Sequence, residues 1–389
     1  MRTVMVTKFV PLPADSGGKR RSLALLERLA GRGPTVLCAF DDGSADIGGL
    51  TTMGVDVRAV PWPPPFSSLL RGGLSTRSAS AARFWSTALK REVETATRDR
   101  TDLLQIEYAQ LAPYGSDASA GLRILDLHNV ESSLVESYAR TQDAARRALM
   151  RVEAGRLRRI ERAALSAFDA TVVVSENDRA RLQGPDGRVV VCPNGWEPEP
   201  PLRFSGQPVV VFVALMSWRP NADAAIWLAR EVWPLVRAAL PEARLLLVGR
   251  DPGPQVAALA DSDVDVVGRV AEVRPYLARA TVAVAPLRAG GGSRLKILEA
   301  LGAGRPVVAT TIGAEGLDDL VGNGVVIADD PRGIANALLE LLHDPATART
   351  LGERGHAAVR ERYSWDATLR PLFDLIDGHQ RRTSHCEDA

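Results

Sequence analysis

Lysine is nearly missing from this chain. Of 48 basic side chains only four are lysines, Lys8, Lys19, Lys90 and Lys296, and Lys19 and Lys296 stand close to glycine runs. Arginine is the default cation, so a compact ammonium group beside a turn reads as a chosen point charge of the kind that suits phosphate. Histidine is as scarce: His128 is the sole one in the first 342 residues. The three cysteines, Cys38, Cys192 and Cys386, are odd in number and far apart, which excludes a disulfide framework and a cysteine metal site and points to a reducing compartment. The longest uncharged apolar run, 208–218, has about half the ~20 residues a membrane-spanning helix needs. The amino terminus, MRTVMVTKFVPLPADSGG, carries Lys8 and Pro11 where a signal peptide would be apolar, so a cytoplasmic location is expected. Net charge is +1, from 48 basic and 47 acidic residues, and gives no global attraction for nucleic acid. Neither G-x-G-x-x-G after a first strand nor G-x-x-x-x-G-K-[ST] occurs, which argues against a dinucleotide dehydrogenase and a P-loop enzyme.

What is present is a soluble, globular composition, 46% hydrophobic and 24% charged over 389 residues. That length exceeds one ordinary core, so two domains are expected. Strand-like runs alternate with helix-like ones at 3–8, 35–40, 55–60, 103–106, 123–127 and 170–174. The alternation starts again after the Pro- and Gly-rich stretch 193–208, with strands at 209–213, 244–248, 264–267, 282–285, 306–309 and 325–328. This α/β pattern predicts two Rossmann-like doubly wound domains facing across a cleft, with ligand beyond the carboxyl ends of the strands. The expected division is an amino-terminal domain over 1–200, a carboxy-terminal domain over 201–363, and a final helix, 364–378, that pattern alone assigns to neither. The tail from Gly378 reads as frayed.

The most informative stretch is 289–316, AGGGSRLKILEALGAGRPVVATTIGAEG. It follows an apolar β-branched run and leads into helical spacing at Leu295, Leu298 and Leu301. Gly290, Gly291 and Gly292 therefore form a strand-to-helix turn, where backbone can approach a ligand and a helix start offers N–H groups to an anion. Arg294 and Lys296 add cations in the first turn, where the helix dipole disfavours them unless they serve a bound anion. Glu299, one turn on, is placed to accept hydrogen bonds from ribose hydroxyls. A second glycine turn, Gly17 and Gly18, precedes the first helix-like run, which carries Leu23, Leu26 and Leu29.

His128, in DLHNVE, ends a strand and so is expected at the ligand side, where an imidazole can meet a substrate hydroxyl. Glu131 next to it is suited to cap the following helix by charge. The doubled D-x-D of 261–265 precedes its strand and so lies at the end away from ligand. No other cluster has metal spacing, so no metal is expected, and Arg, Lys and helix dipoles would have to stabilise a leaving diphosphate. Trp227 and Trp233 read as core, Trp218 as a loop residue. A helix predicted over 140–165 carries eight arginines among Asp143, Glu153 and Glu161. Those acids suit a solvated face, so for it and for the irregular 61–73 membrane contact is at most peripheral.

Together VALMSWRPNADAAIWLAREVWPLVRAALPEARLLLVGR, VVGRVAEVRPYLARATVAVAPLRAGGGSRLKILEALGAGRPVV and VVCPNGWEP resemble, in order, the sequences of glycosyltransferases of the GT-B architecture, in particular the retaining family 4. The resemblance implies that a sugar is transferred from a nucleotide diphosphate sugar, without other cofactor, to a small-molecule, glycan or lipid-linked acceptor. Gly17 and Gly18 resemble the amino-domain loop beside the diphosphate, His128 the histidine near the donor sugar, and Arg269 and Val270 the segment on the nucleobase. Gly291, Gly292 and Ser293 resemble the diphosphate loop. Glu299 is similar to the second glutamate of E-x7-E, on the ribose, and the helix with Trp365 to the one that returns to the amino domain. Two positions depart. Residue 291 is glycine where the first glutamate would stand, and Glu315 is the candidate replacement. The usual Arg and Lys pair after the second domain's first strand is not in its usual form: MSWRPN offers Arg219 and Asn221 instead, and Arg219, Arg294 and Lys296 are the substitutes for that charge. A non-catalytic nucleotide-sugar-binding protein and a nucleotide-sugar epimerase are the alternatives.

Overall fold

A computed structural model describes residues 1–63, 78–140, 142–182, 188–197, 199–290 and 294–387, with side chains through 383. Gly291, Gly292 and Ser293 lie outside the described residues, as does most of 61–73. The chain divides into two compact units, Met1–Pro193 with Leu369–Ala389, and Asn194–Thr368.

The first unit holds a seven-stranded parallel sheet, in the order β3-β2-β1-β4-β5-β6-β7. Its strands are β1 Thr3–Thr7, β2 Thr35–Asp41, β3 Val55–Pro61, β4 Leu103–Glu107, β5 Leu122–Leu127, β6 Ala170–Val173 and β7 Val189–Val191. The second holds six parallel strands, β10-β9-β8-β11-β12-β13: β8 Val209–Val213, β9 Arg244–Val248, β10 Val264–Gly268, β11 Val282–Ala285, β12 Val307–Ala309 and β13 Val325–Ile327. Strand order therefore reverses between β1 and β4 in one unit and between β8 and β11 in the other. At such switch points the connections leave in opposite directions and open a crevice beyond the strand ends.

The strands read as near-continuous apolar runs because helices cover both faces. In the second unit Val210, Phe212, Leu245 and Leu247 enter one core layer, while their neighbours Val209, Val211, Leu246 and Val248 enter the other, as alternation along a strand requires. Each such fully buried side chain contributes about 1.5–3 kcal/mol.

Three sequence expectations are corrected. The arginine-rich helix does not begin at 140: one helix, Glu131–Ala139, ends, and a second, Ala144–Ala167, starts where Asp143 accepts the Arg146 N–H at 2.9 Å. The last helix runs Trp365–Glu387, so the tail beyond Gly378 continues the helix; it contains no proline to stop it. Gly17 and Gly18 do not precede the first helix but begin it, as the helix spans Gly17–Ala30 after Ser16.

Candidate active site

In the second unit the loops after β8 and β11 meet at the switch point. The turn after β8 leads into the helix Arg219–Trp227, with Trp218 at its N-cap. Asn221, buried in the first turn, donates its amide N–H to the Leu215 carbonyl at 2.8 Å and accepts from Lys296 Nζ at 2.5 Å. Lys296 lies in the first turn of the helix Leu295–Gly302 that follows β11, with its ammonium 5.1 Å from the Phe212 ring centroid. Burial and the neighbouring Arg294 push its pKa down to about 7. A cation so destabilised gains strongly from an incoming anion. Asp223 and Arg288 make a second tie between the same two connections, at 2.6 and 3.0 Å.

Arg294, the N-cap of that helix, is buried. It donates to the Ile312 carbonyl at 3.2 Å and stands 3.8 Å from Glu315. Gly290, at φ 157°, lies against the Arg294 guanidinium, where a Cβ would collide with it. The structure thus brings Glu315 to Arg294, and Lys296 to Asn221. Arg219 is exposed at the start of its helix and Glu299 is half-buried one turn beyond Lys296. Arg269 and Val270 directly follow β10, and Gly268, φ 76°, accepts from the Gly249 N–H at 3.0 Å, which joins the ends of β9 and β10. The D-x-D carboxylates have structural partners. Asp263 accepts from Trp233 Nε1 and Arg237 at 2.7 and 3.0 Å, and Asp265 from Arg244 at 2.9 Å. Trp233 is buried, whereas Trp227 is partly exposed beneath Arg288.

The first unit's switch point has a different chemistry. His128 follows β5, and its Nε2 lies 2.6 Å from Oε2 of Glu107, the last residue of β4. Burial pushes the imidazole down to about 3, so the ring is neutral at neutral pH. Glu107 also accepts from Gln105 at 3.0 Å and Ser22 at 3.1 Å. Its register partner Asp126 receives Arg21 through Nε at 3.1 Å and Nη2 at 2.9 Å. Donor atoms of Glu107, Asp126 and His128 lie within 4.8 Å of one another, the spacing a metal would need. Arg21 already supplies the positive charge there, and each carboxylate holds protein donors, so the cluster reads as a buried ion-pair network.

Tyr108, next after Glu107, has φ 73° and ψ 138°, a backbone conformation costing a non-glycine residue about 1–3 kcal/mol and found chiefly where function requires it. Its ring packs on His128 at 3.9 Å between centroids, and Lys8 Nζ sits 4.2 Å from its centroid and 3.8 Å from Glu131. Gly18 abuts the Tyr108 hydroxyl, and a Cβ there would also lie 3.6 Å from His128 Nδ1. Sequence reasoning singled out His128, Gly18 and Asn221 but missed Arg21, Glu107, Tyr108 and the contact of Asn221 with Lys296. A charged residue within an apolar strand run, Glu107, was the available signal.

Comparison with known families agrees with this geometry. The family described as "Glycosyl transferase 4-like domain" matches residues 16–195 and that described as "Glycosyl transferases group 1" matches residues 207–344. The chain belongs to the GT-B, family 4-like glycosyltransferases. A GDP-mannose-dependent monoacylated alpha-(1-6)-phosphatidylinositol monomannoside mannosyltransferase of Corynebacterium glutamicum is 28% identical over 187 residues, 45% of this chain and 48% of that protein. A GDP-mannose-dependent alpha-(1-6)-phosphatidylinositol monomannoside mannosyltransferase of Mycolicibacterium smegmatis is 26% identical over 244 residues, 54% and 63% of the two chains. The match thus spans about half to under two thirds of these relatives' length. Among solved structures, sucrose-phosphate synthase from Thermosynechococcus elongatus has a TM-score of 0.72 at 19% identity, over 97% of this glycosyltransferase and 98% of that chain, a likeness of fold. Among the described residues no helix is long and apolar enough to cross a membrane.

Proposed function

We propose that this glycosyltransferase moves a hexosyl group from a nucleoside diphosphate sugar to a hydroxyl of a small-molecule, glycan or lipid-linked acceptor, with retention at the anomeric carbon and without a metal. The observation that carries the reading is the contact of Lys296 with Asn221 at the β8/β11 switch point. It supports the reading because one of the chain's four lysines then stands at a switch point, where ligands bind in open α/β sheets, and at a helix start, which favours anions.

Lys296, Arg219 and Arg294 stabilise the charge that develops on the leaving diphosphate, with Arg294 held against Gly290. Gly291, Gly292 and Ser293 carry backbone to the phosphates, Glu299 holds the ribose, Arg269 and Val270 meet the base, and Glu315, held by Arg294, serves the sugar. Gly17 and Gly18 leave room for the donor, and His128 orients its sugar. Because two relatives are named for GDP-mannose, that donor is the first to test, followed by UDP, dTDP and ADP sugars.

The experiment is a thermal-shift panel of GDP, UDP, dTDP and ADP with donor-consumption assays of the same nucleotides' sugars. One diphosphate raises Tm, its sugar is consumed, and Lys296→Ala sharply reduces both. A Tm response without consumption in any acceptor extract supports the non-catalytic binder, and an unchanged response in Lys296→Ala overturns the anion site.

A further inference from the structure

Glu107 is completely buried at the last position of a central strand, where its neighbours Leu103, Leu104 and Ile106 are apolar. Burying a carboxylate costs several kcal/mol unless it is fully hydrogen-bonded, and its partners are specific. Gln105 donates to Oε1 at 3.0 Å, Ser22 to Oε2 at 3.1 Å, and the His128 ring nitrogen Nε2 stands 2.6 Å from Oε2. An ionised carboxylate accepts only, and Ser22, Gln105 and the imidazole N–H together suit that form. Desolvation pushes the Glu107 pKa up, while Gln105, Arg21 and Ser22 pull it back. The second carboxylate, Asp126, is engaged by Arg21, which also donates to the carbonyls of Cys192 at 3.0 Å and Pro193 at 3.2 Å. Arg21 thus anchors the layer beneath the histidine. Tyr108 covers one face of the ring. The imidazole is held in both tilt and rotation, with Nδ1 on the side of Gly18.

We propose that Glu107 is the positioning residue of His128: its carboxylate accepts the hydrogen bond donated by Nε2–H, which sets the tautomer and turns the ring so that Nδ1 lies on the side of Gly18, at the start of the Gly17–Ala30 helix. This rests on the reading that His128 meets the donor sugar. A second ring nitrogen held by a carboxylate is the device by which proteins select one tautomer and one orientation of a working histidine.

The test uses the full chain labelled with 15N-histidine, whose five histidines give separable ring signals; His128→Gln assigns the one in question. The wild-type ring is expected as the Nε2–H tautomer. In Glu107→Gln the new amide donates to Nε2 and the proton moves to Nδ1. Turnover with the donor identified above then falls about 10–100-fold, the usual cost of removing such a partner, with KM for the nucleotide sugar changed less than about threefold, and Glu107→Asp restores part of the rate. A wild-type Nδ1–H tautomer overturns the proposal, as does an unchanged tautomer in Glu107→Gln at any rate. If Glu107→Gln does not fold, the wild-type spectrum alone decides. A switched tautomer with wild-type turnover in both Glu107→Gln and His128→Ala leaves the positioning intact and removes the sugar-facing role of His128, so the two failures are distinguishable.

Discussion

The two switch points of this glycosyltransferase share a topology and differ in chemistry. Next to the β1/β4 switch point, at the ends of β4 and β5, the amino-terminal unit gathers a neutral histidine, two buried carboxylates and one buried guanidinium. Beyond β8 and β11 the carboxy-terminal unit gathers Lys296 and Arg294, with Asn221 and Glu315 as their polar partners. The first arrangement has one carboxylate more than it has cations, each carboxylate held by protein donors. The second contains a lysine held down to about pKa 7 by burial and a like charge. On the function proposed above, one fold used twice would serve a sugar in one unit and a diphosphate in the other, with the side chains at the strand ends deciding which.

Four perturbations sharpen or break this contrast. The largest effect is expected from Arg21→Met, which leaves Asp126 buried without its guanidinium. Stability should fall by about 3–5 kcal/mol, read as the urea midpoint; a loss below about 1 kcal/mol would mean the cluster is not the buried ion-pair network described. Next, Lys296→Met should cut transfer about 100-fold with wild-type stability, since the charge acts on the leaving group. Normal turnover would remove Lys296 from the mechanism. Gly18→Ala drives a methyl group into the Tyr108 hydroxyl and, by displacing the ring over His128, should lower kcat about tenfold, measured against an unchanged far-UV spectrum; wild-type kcat would show that this corner tolerates bulk. The smallest effect is assigned to Asp261→Asn and Asp265→Asn. Each should leave transfer within about twofold, because exposed ion pairs contribute at most about 1 kcal/mol; a collapse in rate would point to a metal at D-x-D.

The pH dependence separates the two sites further. Diphosphate binding raises the Lys296 pKa from its free-protein value of about 7. Its contribution to affinity is therefore complete below pH 7 and declines as pH rises from there toward the bound-state value. Titration calorimetry from pH 6 to 9 should show this decline in the wild type and a flat profile in Lys296→Met. An equal slope in both would assign the effect to another group.

Much of this was legible in the sequence, for physical reasons that particular residues show. Val209–Val213 and Val282–Ala285 are bounded by glycine, proline and polar turns, so their strands can be read directly. Val189–Val191 is only three residues long and escaped notice, as a run that short carries no period. The division near residue 140 depends on a single side-chain cap at Asp143, which competes with a strong helical pattern on both sides. Lys296 was visible because lysine is rare here. Asn221 could be named too, but not as its partner, because 75 residues separate the pair and only strand order brings them together. The same holds for Arg21 and Asp126, 105 residues apart, and for Glu107 and His128, 21 apart: the identity of a buried charge shows in sequence, its partner does not.

The most direct test is calorimetric binding of the preferred nucleoside diphosphate against its monophosphate, in wild type and in Lys296→Met. The account predicts that the wild type prefers the diphosphate by at least about tenfold, roughly 1.4 kcal/mol, and that Lys296→Met loses this preference while its monophosphate affinity is unchanged. A preference that survives intact in Lys296→Met would contradict the assignment of the β8/β11 switch point to the pyrophosphate.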